Sequence, residues 1–447
     1  MNTMSISDHV VLVSIPGLRP EDLEYLPSLR SLVSAGDRAP LVPSFPCASW
    51  PMQANLLTGH LPRRHGVTAS GYYQRQQGTV ELWNRSSDIV SAPMIWDTLR
   101  DHHPELISAA WFPIAAGSCR SNYVCSTQPH YTQNPEERNT CHTRPGRLYD
   151  TLRHELGPYP HADAGQTEIQ FAISTWMARS ASLVAHSVRP HLFYLSFSHL
   201  LDTAQQHGPD SPNTHDALAD LDRVLEILIE GFQSAYEGRH LLWLVTSEFV
   251  VTPVDHVSYP NRRLREAGLL QVTTLDDGEH LDLRNSLAWA FVDHQYAHVY
   301  VKDSTSSIIR EVTRLFTREP GIDRVLYGPA LADLYLDHPR SGEVVLISAP
   351  DSWQAYYWWM EDTHAPQFAR QITGTIMKPA VDPLILYADR RDGTIPLNTK
   401  LIQGSYGAPA STDAQRGILL SSQRGVFTER ATCDTDIADL VLQQFGI

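Results

Sequence analysis

The chain has 447 residues, a formal net charge of -15 and a sequence pI near 5.7. With no stripe of Lys or Arg, that balance excludes nucleic acid and an anionic membrane surface as expected partners, while the length allows a sizeable core in about three domains or in one large α/β unit with insertions. Five cysteines, odd in number and widely spaced, exclude a disulfide scaffold.

Met1–Val10 has no basic n-region and no small-residue cleavage site, so no signal peptide is expected and a soluble cytoplasmic protein is the default setting. The run Val10–Ile15 reads as a buried strand, followed by a helix over Asp22–Ala35. Next comes Phe45-Pro-Cys-Ala-Ser-Trp-Pro-Met-Gln-Ala-Asn-Leu-Leu-Thr-Gly59, then Leu-Pro-Arg-Arg-His-Gly66. A hydroxyl on a tight bend with a helix starting behind it is exposed next to free N–H groups that attract an anion. Ser49 is that hydroxyl, although on its own the residue reads more simply as a helix N-cap.

Met94–His102 is helical and Leu106–Phe112 follows as an apolar run. Arg120–Pro160 shows no period and is read as a long loop or part of a cap, within an insertion bounded at 115–165. Cys119, Cys125 and Cys141 stand there near His130 and His142, a composition that raises zinc; no C-x2-C pair is present, and incidental residues are the simpler reading. Glu168–Ser187 and Asp216–Ala235 are helical, alternating with the strands Leu192–Phe197 and Leu241–Val245. These runs are too short to span a bilayer. The alternation predicts a mostly parallel sheet with helices on both faces, whose ligands gather at the C-terminal ends of the strands. Beyond it, Leu287–Val301 is strand-like and rich in aromatics and His, and Gly342–Ser348 is another strand, within a second cap or subdomain over 275–380.

The segment around Ser49 resembles the nucleophile region of the type I phosphodiesterase/nucleotide pyrophosphatase family of the alkaline phosphatase superfamily, approximately F-P-x-x-T-x-P-x-x-x-x-x-x-T-G-x-x-P-x-x-H-G. Phe45, Pro46, Pro51, Thr58, Gly59, Pro62, His65 and Gly66 fit, and Ser49 stands where the family has threonine. Further landmarks run from Val10 to about Pro409: His199-Leu-Leu-Asp-Thr-Ala-Gln-Gln-His-Gly-Pro209, Thr246-Ser-Glu-Phe249, Val292-Asp-His-Gln-Tyr-Ala-His298, Asp337-His-Pro-Arg-Ser-Gly-Glu343 and Gly404-Ser-Tyr-Gly407. The resemblance implies an alkaline-phosphatase-like three-layer α/β sandwich over 1–447. It also implies phosphoester hydrolysis by two metal ions, usually zinc, which activate the nucleophile and neutralise the phosphoryl charge.

Carried over residue by residue, the ligand set is mostly absent. The family's I-D-G becomes Ile15-Pro16-Gly17. Its Asp before G-P falls on Leu201, or on Asp202 one residue on, and its His falls on Gln205 or Gln206; S-D-H-G becomes Ser247-Glu248-Phe249-Val250, and G-x-H-G becomes Gly404-Ser405-Tyr406-Gly407. Glu248 is the one weak metal candidate, so no cofactor is expected beyond one loosely held Mg2+ or Zn2+. Ser49 remains as the candidate nucleophile, with His294 and Asp293 as general base and orienting carboxylate, and Gln53, Asp202, Gln205 and Tyr406 as substrate-binding candidates. Read as one strand, His294–His298 places the two imidazoles about 13 Å apart at roughly 3.3 Å per residue, too far to share an ion.

The expectation is therefore a divergent family member that has lost two-metal hydrolysis and acts on or binds a small anionic molecule in specialised metabolism. Two alternatives stand beside it: an active metal-dependent phosphodiesterase or phosphatase with rearranged ligands, and an inactive binding or assembly protein. The oligomeric state is left open, a dimer being allowed.

Overall fold

The computed structural model describes residues 7–82, 89–117, 119–127, 141–160, 166–372, 381–389, 391–428 and 430–447, with side chains from 169 onward in the stretch that begins at 166. His130 lies outside them.

Among these residues nine strands form the central sheet. From one edge to the other they are Thr432–Cys433, Arg38–Val42, Gly417–Ser421, Leu241–Thr246, His9–Ser14, Leu192–Ser196, Ser108–Trp111, Tyr123–Thr127 and Cys141–Arg144. The five from Leu241–Thr246 to Tyr123–Thr127 run parallel, and antiparallel pairings flank them on both sides. The central strands are apolar throughout because both sheet faces are covered. Val11 and Val13 point into a layer with the helices Gln166–Val188 and Pro212–Ala235. Val10 and Leu12 point the other way, onto the helices Ser49–Thr58, Ile95–His102 and Asp436–Gln443. This is the three-layer α/β architecture expected of an alkaline-phosphatase-like fold.

A second, antiparallel sheet orders Ala288–Asp293, Tyr296–Val301, Val344–Ser348 and Ile322–Tyr327. It shares a buried apolar cluster with Trp353–Trp359 and with the residues around the Ser49 turn.

Three expectations change. The helix over Asp22–Ala35 is two short pieces, a 3-10 turn Glu21–Tyr25 and a helix Pro27–Leu32, because Pro27 has no N–H to continue the first and is suited to start the second. The stretch Arg120–Pro160, read as a loop or cap, contains the last two strands of the central sheet and the helix Leu148–Leu156; its Cys125 and Cys141 are buried free thiols on those strands. Leu287–Val301 is a hairpin that reverses at His294–Gln295. His294 takes φ +58°, a turn conformation uncommon for His, so no glycine or asparagine marked the reversal.

Candidate functional site

Ser14, Ser196 and Thr246 close three adjacent parallel strands and lie in register with one another. They put a row of hydroxyls at the C-terminal edge of the sheet, where such folds bind ligands. The chain leaving His9–Ser14 is pinned there, since Gly17 N–H donates to the Phe249 carbonyl at 2.9 Å.

Ser49 opens the helix Ser49–Thr58, which Gly59 ends at φ +68°, a left-handed C-cap that glycine adopts without strain. The N-cap is Ala48, and no side chain caps the helix. The Ser49 hydroxyl is thus not consumed by capping, and it lies close enough to the Tyr406 hydroxyl to act on it. Two turns of backbone contact hold the partners in place: Cys47 N–H donates to Gly407 O at 3.2 Å and Gln295 N–H to Tyr406 O at 3.0 Å. Gly407 is required here, at φ +121° with a Cβ falling 2.9 Å from the Tyr296 ring.

Behind Ser49 sits Glu248, fully buried. Ser14 Oγ donates to its Oε1 at 2.7 Å, and Gln53 lies beside it, donating Nε2 to Ser196 Oγ at 3.1 Å while its Oε1 accepts from Ile114 N–H at 3.1 Å. Burial pushes the Glu248 carboxyl up to about 8, against the hydrogen bond from Ser14 and the influence of Gln53, and its Oε2 has no hydrogen-bond partner. It is therefore largely protonated at neutral pH. Asp202, half-buried on the helix Leu201–His207, accepts from Gln170 Nε2 at 2.7 Å, and burial raises its carboxyl too.

The hairpin turn supplies the other wall. Asp293 Oδ2 accepts from Ser70 N–H and from the Tyr296 hydroxyl, each at 2.8 Å. Its Oδ1 has no hydrogen-bond partner and lies 3.9 Å from His294 Nε2. His294 stacks on Tyr406 with ring centroids 4.0 Å apart, and burial lowers its pKa although Asp293 opposes the shift. Tyr406 stacks in turn on Phe249 at 4.5 Å.

The structure thus joins Tyr406 to His294 and Phe249 by ring contact and His294 to Asp293, while burial and the charges of Asp293, Asp202 and Glu248 raise the Tyr406 hydroxyl; Gln205 is on the helix of Asp202 and Gln53 on the helix of Ser49. His298, by contrast, is a structural residue. Gly342 N–H donates to its Nδ1, its Nε2 donates to Thr68 O, and burial lowers its pKa to about 4. In the hairpin Asp293 and Tyr296 are directly paired, so they share a face with His298. The Asp337–Gly342 turn is structural as well, Arg340 donating to the carbonyls of Gly66 and Ile89. Sequence reading missed Ser14, Ser196 and the Tyr296 hydroxyl as partners; the signal available was a hydroxyl residue ending each apolar strand.

These residues do not fit a binuclear metal centre. Pro16 offers no donor, and Leu201, Phe249 and Tyr406 belong to one buried cluster with Phe45, Cys47, Ala48 and Met52. One Glu248 oxygen is already engaged, and among the described residues no group of three or more His, Cys, Asp or Glu is placed to hold an ion.

Comparison with known proteins agrees with this fold. The profile of the type I phosphodiesterase / nucleotide pyrophosphatase family matches residues 10–372. An uncharacterized pyrophosphatase/phosphodiesterase of Schizosaccharomyces pombe is 23% identical over 251 residues, 55% of this chain and 45% of that protein, so the chain spans about half the length of the curated relative it matches. Among solved structures, murine ectonucleotide pyrophosphatase/phosphodiesterase 5, an inactive variant in complex with AMP, superposes with a TM-score of 0.64 at 15% identity over 98% of this chain and 95% of its own. Phosphonoacetate hydrolase of Sinorhizobium meliloti with phosphonoformate gives 0.62 at 14% identity, over 98% and 96%. Among the described residues no helix is long and apolar enough to cross a membrane.

Proposed function

The chain belongs to the type I phosphodiesterase / nucleotide pyrophosphatase family, and from that premise we propose that this member has given up two-metal phosphoester hydrolysis and uses the pocket at Ser49 to bind or transform a small metabolite without a binuclear centre. One observation carries the reading. The Phe249–Tyr406–His294 ring stack fills the shell where the family's ligand pattern has imidazoles at the Phe249 and Tyr406 positions, and aromatic carbon cannot replace nitrogen donors to zinc. Ser49 stays poised, its hydroxyl near that of Tyr406, with His294 and Asp293 as the base and orienting carboxylate of any residual chemistry.

Elemental analysis of dialysed protein, paired with a screen of aryl phosphate mono- and diesters and a nucleotide diester, tests this. Less than one transition metal per chain is expected, with turnover that is absent or slow, insensitive to EDTA and abolished in Ser49→Ala. Two retained zinc ions with fast, EDTA-sensitive hydrolysis would establish the alternative of an active phosphodiesterase with rearranged ligands. An unchanged residual rate in Ser49→Ala would remove Ser49 as nucleophile.

A further inference from the structure

The end of the sheet away from the pocket carries titratable side chains that the site does not use. His9 begins the strand that Ser14 ends, and His191 stands just before the neighbouring strand Leu192–Ser196. Their rings stack with centroids 5.2 Å apart at 16°, and the Tyr236 ring lies 4.7 Å from that of His9. Each imidazole is fixed in one tautomer by its partner. His9 Nδ1 faces the Pro190 carbonyl at 3.1 Å, and a carbonyl can only accept, so His9 carries its proton on Nδ1. Tyr236 donates its hydroxyl to the same oxygen at 2.7 Å. His191 is the reverse case: Ile107 N–H donates to its Nδ1 at 3.0 Å, so that nitrogen is bare and the proton sits on Nε2. The His191 backbone ties the same corner, its N–H donating to Ile107 O and its carbonyl accepting from Val10 N–H, each at 2.7 Å.

We propose that His191 is an acid-operated latch at the end of the sheet opposite the pocket: neutral, it holds the Ile107 amide at the entry to the strand Ser108–Trp111, and protonated by solvent at Nδ1 it lets that amide go. A second proton has only one place to go on this ring, because Nε2 is already occupied. It sets Nδ1–H against Ile107 N–H, so the ring must turn out of the corner and the amide loses its acceptor. His9 behaves differently, since its Nε2 can take a proton without breaking the bond to Pro190; once both rings are charged, they repel across the stack. The charged groups around the corner are Asp8 beside His9, Arg239 beyond Tyr236, and Glu105, which His103 also approaches at 3.4 Å. Burial holds both histidines below their ordinary 6.5, although Asp8 and Glu105 favour protonation; Arg239 opposes it at His9. A folded value below the unfolded one keeps the latch fully closed above about pH 6.5 and opens it as pH falls. His65, His199 and His298 are held at about 3, about 4 and about 4, which leaves a window above them for the latch alone.

Hydrogen exchange of the full chain, followed by mass spectrometry and corrected for the intrinsic pH dependence, tests this. Between about pH 7.5 and about pH 5, protection around Ile107 is expected to fall about five-fold or more, the worth of one hydrogen bond, while the strand Leu241–Thr246 keeps its protection. In His191→Asn the side-chain Oδ1 stands close to the place of Nδ1 and accepts from the same amide but takes no proton. Its protection around Ile107 is expected to stay constant over that range. Wild-type protection that does not change, or that falls equally in both strands, overturns the proposal without the variant. The same pH profile in wild type and His191→Asn overturns it as well.

Discussion

On the Ser49 side of the pocket the backbone is tied by buried hydrogen bonds. Asp434 accepts from Ser44 N–H at 3.2 Å, Ser44 Oγ at 2.6 Å and Asn55 Nδ2 at 2.6 Å. Asn55 Oδ1 then accepts from His65 Nε2 at 2.7 Å, and His65 Nδ1 accepts from Val67 N–H at 3.0 Å, so burial leaves His65 neutral with its pKa lowered to about 3. Across the pocket, at Leu201, Phe249 and Tyr406, the contacts are apolar and aromatic. Both sides are closely packed, but the first is held by polar contacts and includes His65, which fits the family pattern, while the second is held by apolar and aromatic ones. The contrast teaches that a turn's geometry and a site's chemistry are separable. The network shapes the nucleophile turn whatever the metals do, whereas ligands facing a cavity can be exchanged for packing side chains without moving a strand.

The largest effect expected on this contrast is a pH dependence seated in Glu248. Its folded pKa of about 8 lies above the ordinary glutamate value of 4.5, so the folded state binds the extra proton between these limits. Stability is therefore full below about pH 4.5 and falls as pH rises towards 8, at up to about 1.4 kcal/mol per pH unit. Glu248→Gln should match the wild type at low pH and be more stable at pH 8 in urea titrations. Identical pH profiles would mean that a cation reaches this carboxyl, which breaks the picture of an uncompensated shell.

Removing the polar anchor opposite comes next. Asp434→Ala leaves Ser44 and Asn55 unpaired in the core and should cost about 3 kcal/mol in chemical denaturation. A cost below about 1 kcal/mol would show that the turn does not depend on the network. Gly407→Ala, forced to hold φ +121° against the Tyr296 ring, should cost about 2 kcal/mol, measurable as a lowered urea midpoint at unchanged slope. Ser49→Ala is expected to be mildest, about 1 kcal/mol or less, because Ala48 and not Ser49 is the N-cap. A larger loss would assign Ser49 to stability rather than to the site.

The alternation of apolar strands and long helices was legible in the sequence because each central strand is buried on both faces and each long helix on one, which leaves period and length as clear signals. Ser49, Glu248 and Tyr406 were legible for a different reason, as residues inside family motifs around the pocket. The hairpin at His294–Gln295 was not, since both arms are continuously apolar and the turn uses His with φ +58° in place of a turn residue. The strands Tyr123–Thr127 and Cys141–Arg144 were hidden too, being short and set among residues with no period.

By itself the amino-acid sequence determined the parallel α/β core, because periodicity and strand length are properties of residues and their spacing; the turn at Ser49 and the replaced motif residues Pro16, Leu201 or Asp202, Gln205 or Gln206, Phe249 and Tyr406 were legible only through the family resemblance. Only the tertiary structure decided that Tyr406 hydroxyl meets Ser49, that His294 lies on Tyr406, and that Glu248 is shut away with Ser14. Those contacts join segments separated by hundreds of residues. Their consequences for charge depend on burial and on which neighbours are missing, and neither is written in local sequence.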